Sequence, residues 1–553
     1  MEKLNNLTLL DCTLRDGGYY NNWSFDKDHV IRYLAAMSEI GISFVEVGFR
    51  FLPGSKKLGP YAYTEEPFLE SLDLPDDLSY GVMINGKDFI LEKNPITSLN
   101  KTFDRAENSI ISLVRIAINF NQAERVELIA KELKSLGYKV GLNLMQAGYK
   151  ENQEYSLIAK TIDSWSAVDV LYFADSFGNM DPEEVNRITN VFKKNWKGDL
   201  GIHTHNNKGL ALINSLSAIN SGVRWCDSTL AGMGRGAGNV QTENLILELM
   251  PKGNYLELQK SLVDFTKLKD IYNWGTNFHY HFAASNNIHP TFVQTLLSDD
   301  RYSTDQIATI LELLANMDSK AFTKNSISKA VYNDVSGFTE LTPSSTSETQ
   351  EIRMSIDNHF NGSWDATDWL SNEEVLLVGA GNSVKNNLGL INNYIKKNNP
   401  KVICLNNNNF IKHDLVHAVA VCNVSRVILD ANLFHNLQCP LIMPQSQIGH
   451  LLGSSLDNIE ILDYGMTLKE GAIEIHPKGC CLNAPYAAAY ALALVTQAGS
   501  KKISLIGFDG YTATDSRQDE MNSIFSNYQA LGNSIPIVSL TPTSYEVECD
   551  LIV

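Results

Sequence analysis

Two histidines and an arginine–aspartate pair have the residue types and the spacing for metal chemistry in this 553-residue chain. His203 and His205 lie two positions apart at the end of a predicted strand, so both side chains point to the same side of it. Arg15 and Asp16 directly follow another predicted strand. Two neutral imidazoles and one carboxylate suit Mn²⁺, Zn²⁺, Fe²⁺ or Co²⁺, and also Mg²⁺. The pattern predicts an open site in which Asp16, His203 and His205 hold one divalent metal.

Each half of this motif also has a simpler interpretation. Two histidines separated by one residue are more often surface or hydrogen-bonded groups than metal ligands. Arg15 and Asp16 could form a structural ion pair at the end of a strand. The metal hypothesis therefore depends on whether the fold brings the two halves together.

The first 230 residues alternate short β-branched runs with helical patterns, which predicts repeated βα units. Eight parallel strands with right-handed crossovers close into a (β/α)8 TIM barrel, in which catalytic groups lie at the carboxyl ends of the strands. Asp16, His203 and His205 all lie at such ends. The eight predicted strands are 7–13, 43–49, 79–84, 111–118, 138–144, 169–175, 200–205 and 223–229.

The barrel is assigned to residues 1–250, and the remaining chain is predicted to form three further parts. Helical patterns over 251–330 predict an extension packed on the barrel. The polar stretch TPSSTSETQE falls within 331–371, which is therefore interpreted as a linker. Strands and helices alternate again over 372–553, and this pattern predicts a doubly wound, Rossmann-like α/β domain.

The predicted second domain opens with VLLVGAGNSV, in which glycines separate a strand from a helix. The amide groups of Gly379 and Gly381, with Ser383 as the helix cap, would offer a phosphate site to a nucleotide or nucleotide-sugar. The third glycine of the dinucleotide motif is absent, and a purely structural turn explains the pattern equally well. The stretch also resembles the start of sialyltransferase-like domains.

Four motifs at strand ends of the predicted barrel resemble those of the DRE-TIM metallolyases, and are closest to 4-hydroxy-2-oxovalerate aldolases. They are TLRDGG at 13–18, ADSFGN at 174–179, HTHNNKGLA at 203–211 and DSTLAGMGRGAGN at 227–239. The resemblance implies that Asp16, His203 and His205 hold the metal, with Asn239 at or near it, and that Arg15 stabilises an enolate oxygen. The expected ion is Mn²⁺ or Mg²⁺, with Zn²⁺ or Co²⁺ as alternatives.

The function implied by this resemblance is an aldolase or lyase that makes or breaks a carbon–carbon bond between a 2-oxoacid such as pyruvate and an aldehyde. The second domain extends this expectation to the synthesis of a surface-glycan precursor. Two alternatives stay open. One is a Claisen condensation with an acyl-CoA, and the other is a nucleotide-sugar-binding scaffold whose barrel is inactive.

One position departs from the aldolase pattern, because Tyr19 stands where those enzymes carry a catalytic histidine. An ordinary phenol is a poor base at neutral pH, so the acid/base assignment stays open. The other candidates lie in NFHYHFAASNNIHP, where relatives place a catalytic tyrosine. They are Tyr280, which we assign as catalytic with Tyr19, and His279, His281 and His289.

Two further residues of the predicted barrel are assigned to substrate binding, Arg115 and Ser176. Arg115 would bind a substrate carboxylate or, alternatively, pair with Glu46. A buried carboxylate at Glu46 needs a partner, because unpaired burial of a charge is costly. Glu46 is therefore predicted to orient Arg15 rather than to act on substrate.

The overall charge excludes one class of partner. The formal net charge is −18 and the chain has no basic run, so a nucleic-acid partner is not expected.

No apolar run approaches the roughly 20 residues of a membrane span, and we expect a cytoplasmic protein with no membrane partner. The eight cysteines are scattered, which favours structural thiols. A homo-oligomer is expected.

Overall fold

A computed structural model describes most of the chain, which divides into two compact units. The first comprises residues 1–299 and 314–322, and the second comprises 300–313 and 323–553. The described residues are 6–53, 58–299, 302–322, 326–327, 329–331, 362–406, 410–449, 452, 456, 459–469, 473–511 and 516–552.

The first unit is a closed barrel of eight parallel strands in chain order, in which β1 pairs with both β2 and β8. This confirms the predicted TIM barrel. The strands are β1 (Thr8–Asp11), β2 (Phe44–Phe49), β3 (Ser79–Asn85), β4 (Ile111–Asn119), β5 (Lys139–Met145), β6 (Val170–Asp175), β7 (Asp199–Thr204) and β8 (Trp225–Ser228).

The helix Lys27–Glu39 shows why the crossovers form where they do. Asp26 caps its start, because the carboxylate accepts hydrogen bonds from the amides of Asp28 and His29. Its buried residues recur at helical spacing and face the barrel. The other helices are Thr13–Asp16, Gly18–Asn21, Glu66–Glu70, Gly86–Ile90, Pro95–Thr102, Glu127–Ser135, Asn152–Trp165, Pro182–Asn195, Ala211–Ser221, Thr242–Leu249, Leu256–Tyr272, Phe278–Ser285, Pro290–Leu297 and Thr304–Ala315.

The second unit is an α/β domain built on an eight-stranded parallel sheet of order β13-β12-β11-β10-β9-β17-β18-β19. The chain winds outward from β9 on one side and then from β17 on the other, which is the predicted doubly wound topology. These strands are β9 (Glu374–Val378), β10 (Lys401–Leu405), β11 (Ala418–Ala420), β12 (Leu441–Met443), β13 (Ile461–Asp463), β17 (Lys502–Ile506), β18 (Ile537–Ser539) and β19 (Glu548–Cys549).

A small three-stranded sheet in this domain was not predicted. It has the order β14-β16-β15, with β15 antiparallel to β16. Its strands are β14 (Gly465–Leu468), β15 (Glu474–His476) and β16 (Gly479–Leu482). The helices of the domain are Asn382–Asn386, Leu388–Asn398, Val424–Phe434, Gln445–Ile448, Ala487–Gln497 and Ser516–Gln529.

The predicted boundaries need two corrections. The predicted helical extension, 251–330, is divided between the two units, because the second unit takes 300–313. The predicted linker, 331–371, lies mostly outside the described residues, but its last ten residues belong to the second domain. Ala366 and Leu370 are fully buried in that domain's core, which a solvated linker would not allow. Among the described residues, no helix combines the length and the apolar character needed to span a membrane.

Candidate active site

The charged groups inside the barrel follow from the alternation of side chains along its strands. On β4, Leu113 and Arg115 share the inward face, and on β8 Trp225 and Asp227 do the same. The apolar members fill the lower barrel, while the charged members lie one inward position nearer the carboxyl ends. His203 occupies the equivalent level on β7. A layer of charge therefore separates the apolar core from the mouth.

Asp16, His203 and His205 meet at this mouth. Asp16 ends the one-turn helix that follows β1. Its Oδ2 lies 3.6 Å from Nε2 of His203 and 4.0 Å from Nε2 of His205. One ligand atom from each of the three residues lies within 4.8 Å of the others. The structure thus brings together the two halves of the motif.

A hydrogen bond at the opposite ring nitrogen orients each imidazole. Nδ1 of His203 lies 2.9 Å from the Asp227 carboxylate, and Nδ1 of His205 lies 2.8 Å from the backbone oxygen of Asp175. Both partners are acceptors, so Nδ1 carries the proton of each neutral ring and Nε2 is left as the ligand atom. The paired acceptors hold both Nε2 atoms toward Asp16.

The electrostatics suit a cation. Burial raises the pKa of Asp16, but the Arg15 guanidinium and the imidazoles outweigh burial and hold that pKa well below its usual range. Burial, together with His203, lowers the pKa of His205 to about 4. Burial also lowers the pKa of His203, but its bonds to Asp16 and Asp227 outweigh burial and raise it. A cation at this site would compete with the proton on His203.

Asn239 offers the oxygen of its side-chain amide as a fourth ligand atom. Its Nδ2 donates to Asp16 Oδ2 over 2.5 Å, while its buried Oδ1 has no hydrogen-bond partner among the described residues. Gly238 makes this approach feasible, because its φ is +78° and a Cβ there would lie 2.0 Å from the Gly232 oxygen. A carboxylate, two imidazoles and an orphaned amide oxygen fit a divalent metal.

Arg15 is fixed at two of its three guanidinium nitrogens. Nε donates to Glu46 Oε2 over 2.7 Å, and Nη1 donates to Asp16 Oδ1 over 2.6 Å. Nη2 is buried and has no partner among the described residues. The side chain lines the cavity at the barrel mouth, so Nη2 is available to a ligand there. The predicted orientation of Arg15 by Glu46 is what the structure shows.

Arg115 does not bind substrate in this arrangement, so its assignment to substrate binding is corrected, and the alternative, that it pairs with Glu46, is confirmed. Its Nε and Nη2 donate to the two oxygens of Glu46 over 2.8 and 2.7 Å, and its Nη1 donates to Asp227 over 2.7 Å. The guanidinium lies over the Tyr172 ring, and the side chain is fully buried outside the cavity. Through Glu46 and Asp227, Arg115 positions Arg15 and His203.

A cavity of about 240 Å³ opens above the three predicted ligands. Tyr19 and Ser176, both predicted site residues, line it, and the Ser176 oxygen also accepts the amide hydrogen of Gln146 over 2.8 Å. The lining residues are Arg15, Asp16, Tyr19, Phe49, Phe51, Met83, Asn85, Ala117, Asn119, Asn143, Met145, Gln146, Ala174, Ser176, His203, His205, Arg235 and His289.

Comparisons with known proteins assign the barrel to a family. The HMGL-like family model matches residues 100–274. A 4-hydroxy-2-oxovalerate aldolase from Geobacillus genomosp. 3 is 32% identical over 247 residues, which are 45% of this chain and 71% of the relative. The chain belongs to the HMGL-like family. An oxaloacetate decarboxylase from Mycobacterium tuberculosis is a further family relative, 28% identical over 44% of this chain and 70% of its own length.

Among solved structures, the N-terminal domain of a putative aldolase from Bacteroides vulgatus is 34% identical, with a TM-score of 0.47. The match covers 99% of that domain and 55% of this chain. Membership of the HMGL-like family confirms the resemblance to the DRE-TIM metallolyases. It also supports a metal-dependent lyase, which is the chemistry for which the four donors are suited.

The acid/base region differs from the family pattern that guided the prediction. Tyr280 is almost fully buried and does not line the cavity, so its assignment as a catalytic tyrosine is corrected. It packs beneath Gly236, where a Cβ would approach its ring to 3.1 Å. His279 and His281 do not line the cavity either. Of the candidates in this stretch, only His289 reaches it.

His289 is a neutral hydrogen-bond donor in this position. Burial, together with Arg235 and His205, lowers its pKa to about 3. Its Nδ1 accepts the amide hydrogen of Thr291 over 3.3 Å, so Nε2 carries the ring proton. His289 also begins the helix Pro290–Leu297, and this cap fixes the ring at the cavity wall.

Two functional residues had no role in the sequence prediction. Asp227 orients His203, and the period of two along β8, from the apolar Trp225, could have placed it inside the barrel. Arg235 lines the cavity from the glycine-rich loop after β8. No periodic signal marks it, because the loop has no regular repeat.

The glycine turn of the second domain is not a phosphate site as predicted. The amides of Gly379 and Gly381 donate to the carbonyl oxygens of Ile506 and Gly507. Ser383 does not cap its own helix. Instead its amide donates to the Asp509 carboxylate over 2.8 Å, and its hydroxyl donates to the same carboxylate. A negative side chain therefore occupies the place expected for a phosphate.

Proposed function

We propose that the barrel catalyses a metal-dependent aldol reaction, in which a 2-oxoacid such as pyruvate is joined to an aldehyde or released from the adduct. The observation that carries this proposal is the meeting of three ligand residues, Asp16, His203 and His205, with the Nη2 edge of Arg15 at a single cavity. The amide of Asn239 contacts Asp16 beside this cavity and offers a fourth ligand atom. The family relatives named aldolase and decarboxylase support it.

The four donors would hold Mn²⁺ or Mg²⁺, with Zn²⁺ or Co²⁺ as alternatives. When bound, such an ion would polarise the carbonyl group of a 2-oxoacid and so ease the loss of a methyl proton. Among the described residues that line the cavity, Asp16 has the only carboxylate. A site with one carboxylate and open positions leaves room for the oxygens of a substrate.

Arg15 stabilises the negative charge that develops on the substrate. Its guanidinium is positively charged, and the buried Nη2 has no hydrogen-bond partner among the described residues. Glu46 and Asp16 fix the other two nitrogens, so the donor is already in place when charge forms. Preorganised donors in a cavity with little water are a major source of catalytic power.

The addition requires that a methyl carbon loses a proton, that this carbon bonds to the aldehyde carbon, and that the aldehyde oxygen gains a proton. Besides the metal ligands and arginines, the titratable groups of the cavity are Tyr19 and His289. We assign both proton transfers to Tyr19: its deprotonated oxygen takes the methyl proton, and the phenol so formed returns a proton to the aldehyde oxygen. His289 donates a hydrogen bond from its Nε2 to the aldehyde oxygen and stabilises the charge that forms there.

The experiment uses NMR to measure how fast deuterium replaces the methyl protons of pyruvate. The protein is loaded in turn with Mn²⁺, Mg²⁺, Zn²⁺ or Co²⁺. Exchange reports proton loss without any need to know the aldehyde. We expect exchange that depends on metal and is lost in His203→Ala, whereas His281→Ala, which changes an exposed histidine, exchanges at the native rate. Absence of exchange in the native protein with each of the four ions would refute the proposal.

Oxaloacetate decarboxylation is a second candidate, because a relative carries that name and loss of carbon dioxide also leaves the pyruvate enolate. A single assay compares the two candidates. Release of pyruvate from oxaloacetate faster than methyl exchange would favour decarboxylation, and faster exchange with aldehyde addition would favour the aldolase.

A further inference from the structure

Arg235 is the arginine of the active-site cavity that lacks an acidic partner. Arg15, the other arginine in the lining, is bound to two carboxylates. The guanidinium of Arg235 makes no hydrogen bond or ion pair within the described residues. This is unusual in an acidic chain with 63 Asp and Glu residues against 45 Lys and Arg residues. An unpaired guanidinium in a cavity is a candidate binding group.

The Tyr19 ring holds Arg235 in place. The guanidinium carbon lies 4.0 Å from the ring centroid, which is a close cation–π contact. Tyr19 in turn packs edge-on against Trp23 and Phe49, with centroids 4.9 and 6.0 Å away. A guanidinium that lies on an aromatic face keeps its N–H groups free at the edge. Arg235 is therefore positioned without being neutralised.

The charges around the site leave Arg235 unmatched. Two guanidiniums, on Arg15 and Arg115, are surrounded by three carboxylates, on Asp16, Glu46 and Asp227. This network carries one net negative charge, which a divalent cation and the carboxylate of one 2-oxoacid together balance. Arg235 adds one positive charge to the cavity, and no ion pair among the described residues offsets it. A second anionic group would complete the balance.

The geometry points to Arg235 as the group that selects an aldehyde bearing its own anionic group, either a carboxylate or a phosphate. This inference rests on the proposed aldol reaction and names the class of its second substrate. Arg235 would donate from its free edge to two oxygens of that anion. The anion and the 2-oxoacid would then lie in one cavity, with Arg15 beside the 2-oxoacid and Arg235 beside the anion.

The test compares matched aldehydes that differ in charge, with pyruvate as the other substrate. Succinic semialdehyde is paired with butanal, and glycolaldehyde phosphate with glycolaldehyde. The pairs separate carboxylate from phosphate as the preferred anion. We expect the native enzyme to prefer one charged aldehyde over its neutral match in kcat/KM. Arg235→Gln should reduce this preference about 100-fold, and Arg235→Lys should retain part of it. An unchanged preference in Arg235→Gln overturns the inference.

A binding measurement separates this inference from the proposed function. Succinate and inorganic phosphate are titrated calorimetrically into the metal-free protein, where no turnover is needed. We expect one of them to bind at least about tenfold more weakly to Arg235→Gln than to the native chain. Arg125→Gln, which removes an exposed arginine, should bind as the native chain does. Equal binding by native protein and Arg235→Gln refutes the anion site. If Arg235→Gln loses the anion binding of the native protein, but the native protein shows no pyruvate exchange, the anion site is supported and the aldol reaction is refuted.

Discussion

Two glycine-rich segments follow parallel strands in this chain. One borders the active-site cavity, and the other is a turn whose hydrogen bonds are satisfied within the protein. The loop 232–239 after β8 brings Arg235 to the active-site cavity and Asn239 to Asp16, and the buried Oδ1 of Asn239 has no hydrogen-bond partner among the described residues. In the turn 379–381 after β9, the amides of Gly379 and Gly381 donate to neighbouring carbonyl groups, and the Asp509 carboxylate accepts from the amide of Ser383 in the helix that follows. Glycines alone therefore indicate a tight turn, whereas a ligand site also needs unpaired polar groups beside a cavity.

The largest expected effect is at the metal donors. Asp16→Asn keeps the size of the side chain but removes its charge, so it should lose bound Mn²⁺ and slow pyruvate exchange by about 1000-fold or more. Metal content by mass spectrometry and exchange by NMR measure the two effects. Asp76→Asn, at an exposed position, is the control. A variant that keeps both metal and exchange would show that the donors are structural.

The next effect concerns the charged layer beneath the cavity. Glu46→Gln weakens the link between Arg15 and Arg115, because the amide is uncharged and has one accepting oxygen, whereas the two oxygens of Glu46 accept three hydrogen bonds. We expect exchange to slow by about 10- to 100-fold with the same KM for pyruvate, since Arg15 loses its orientation rather than its charge. Exposed Glu70→Gln should have the native rate. A rise in KM with unchanged kcat would place Glu46 in ground-state binding instead.

The third effect tests the closed turn of the second domain. Asp509→Asn removes the negative charge that satisfies the helix start at Ser383, at a cost of about 1–2 kcal/mol. Hydrogen exchange should rise about tenfold in peptides that span 379–390 and stay constant in barrel peptides. Asp550→Asn, at an exposed site, should change neither. Tighter binding of inorganic phosphate to Asp509→Asn, with no change in exchange, would reopen the turn as an anion site.

The last prediction concerns the dependence of stability on pH. Burial lowers the pKa of His289 from 6.5 to about 3, so the folded barrel keeps this ring neutral. The unfolded chain takes up the proton as pH falls below 6.5, so this stability is present above that value and is lost toward pH 3. Between pH 6 and 4 the native protein should lose about 1.4 kcal/mol more per pH unit than His289→Asn.

Urea unfolding of the metal-free protein at several pH values measures this slope. His281→Asn, at an exposed position, should unfold with the native pH dependence. Parallel slopes for native protein and His289→Asn would mean that the ring is protonated in the folded state.

The sequence was sufficient for the barrel and for the core of its site, for a physical reason. Alternation along strands and the location of barrel chemistry at strand ends are local rules, and they placed Asp16, His203 and His205 together. These rules left two alternatives for Arg115, substrate binding and pairing with Glu46, and could not decide between them. Its partners, Glu46 and Asp227, are 69 and 112 positions away in the chain. Only the closed barrel decides which of them it reaches.

The same reason explains the error in the second domain. Asp509 contacts Ser383 across 126 positions, so a motif of ten residues could not show that the turn was already filled. The second error, at Tyr280, came from a position carried over from relatives. The chain places that ring beneath the glycine loop, and His289, nine positions later in the sequence, reaches the cavity instead.

The way in which the loop after β8 is fastened makes position 235 open to evolutionary change. Hydrogen bonds hold the loop on both sides of this residue, from Asn239 to Gly232 and from Asn206 to Gly238. The side chain of Arg235 contributes to none of these bonds, so its replacement leaves the backbone and the metal donors in place. A lineage that inherits this barrel could therefore acquire a new aldehyde partner through a single codon, without rebuilding its catalytic centre.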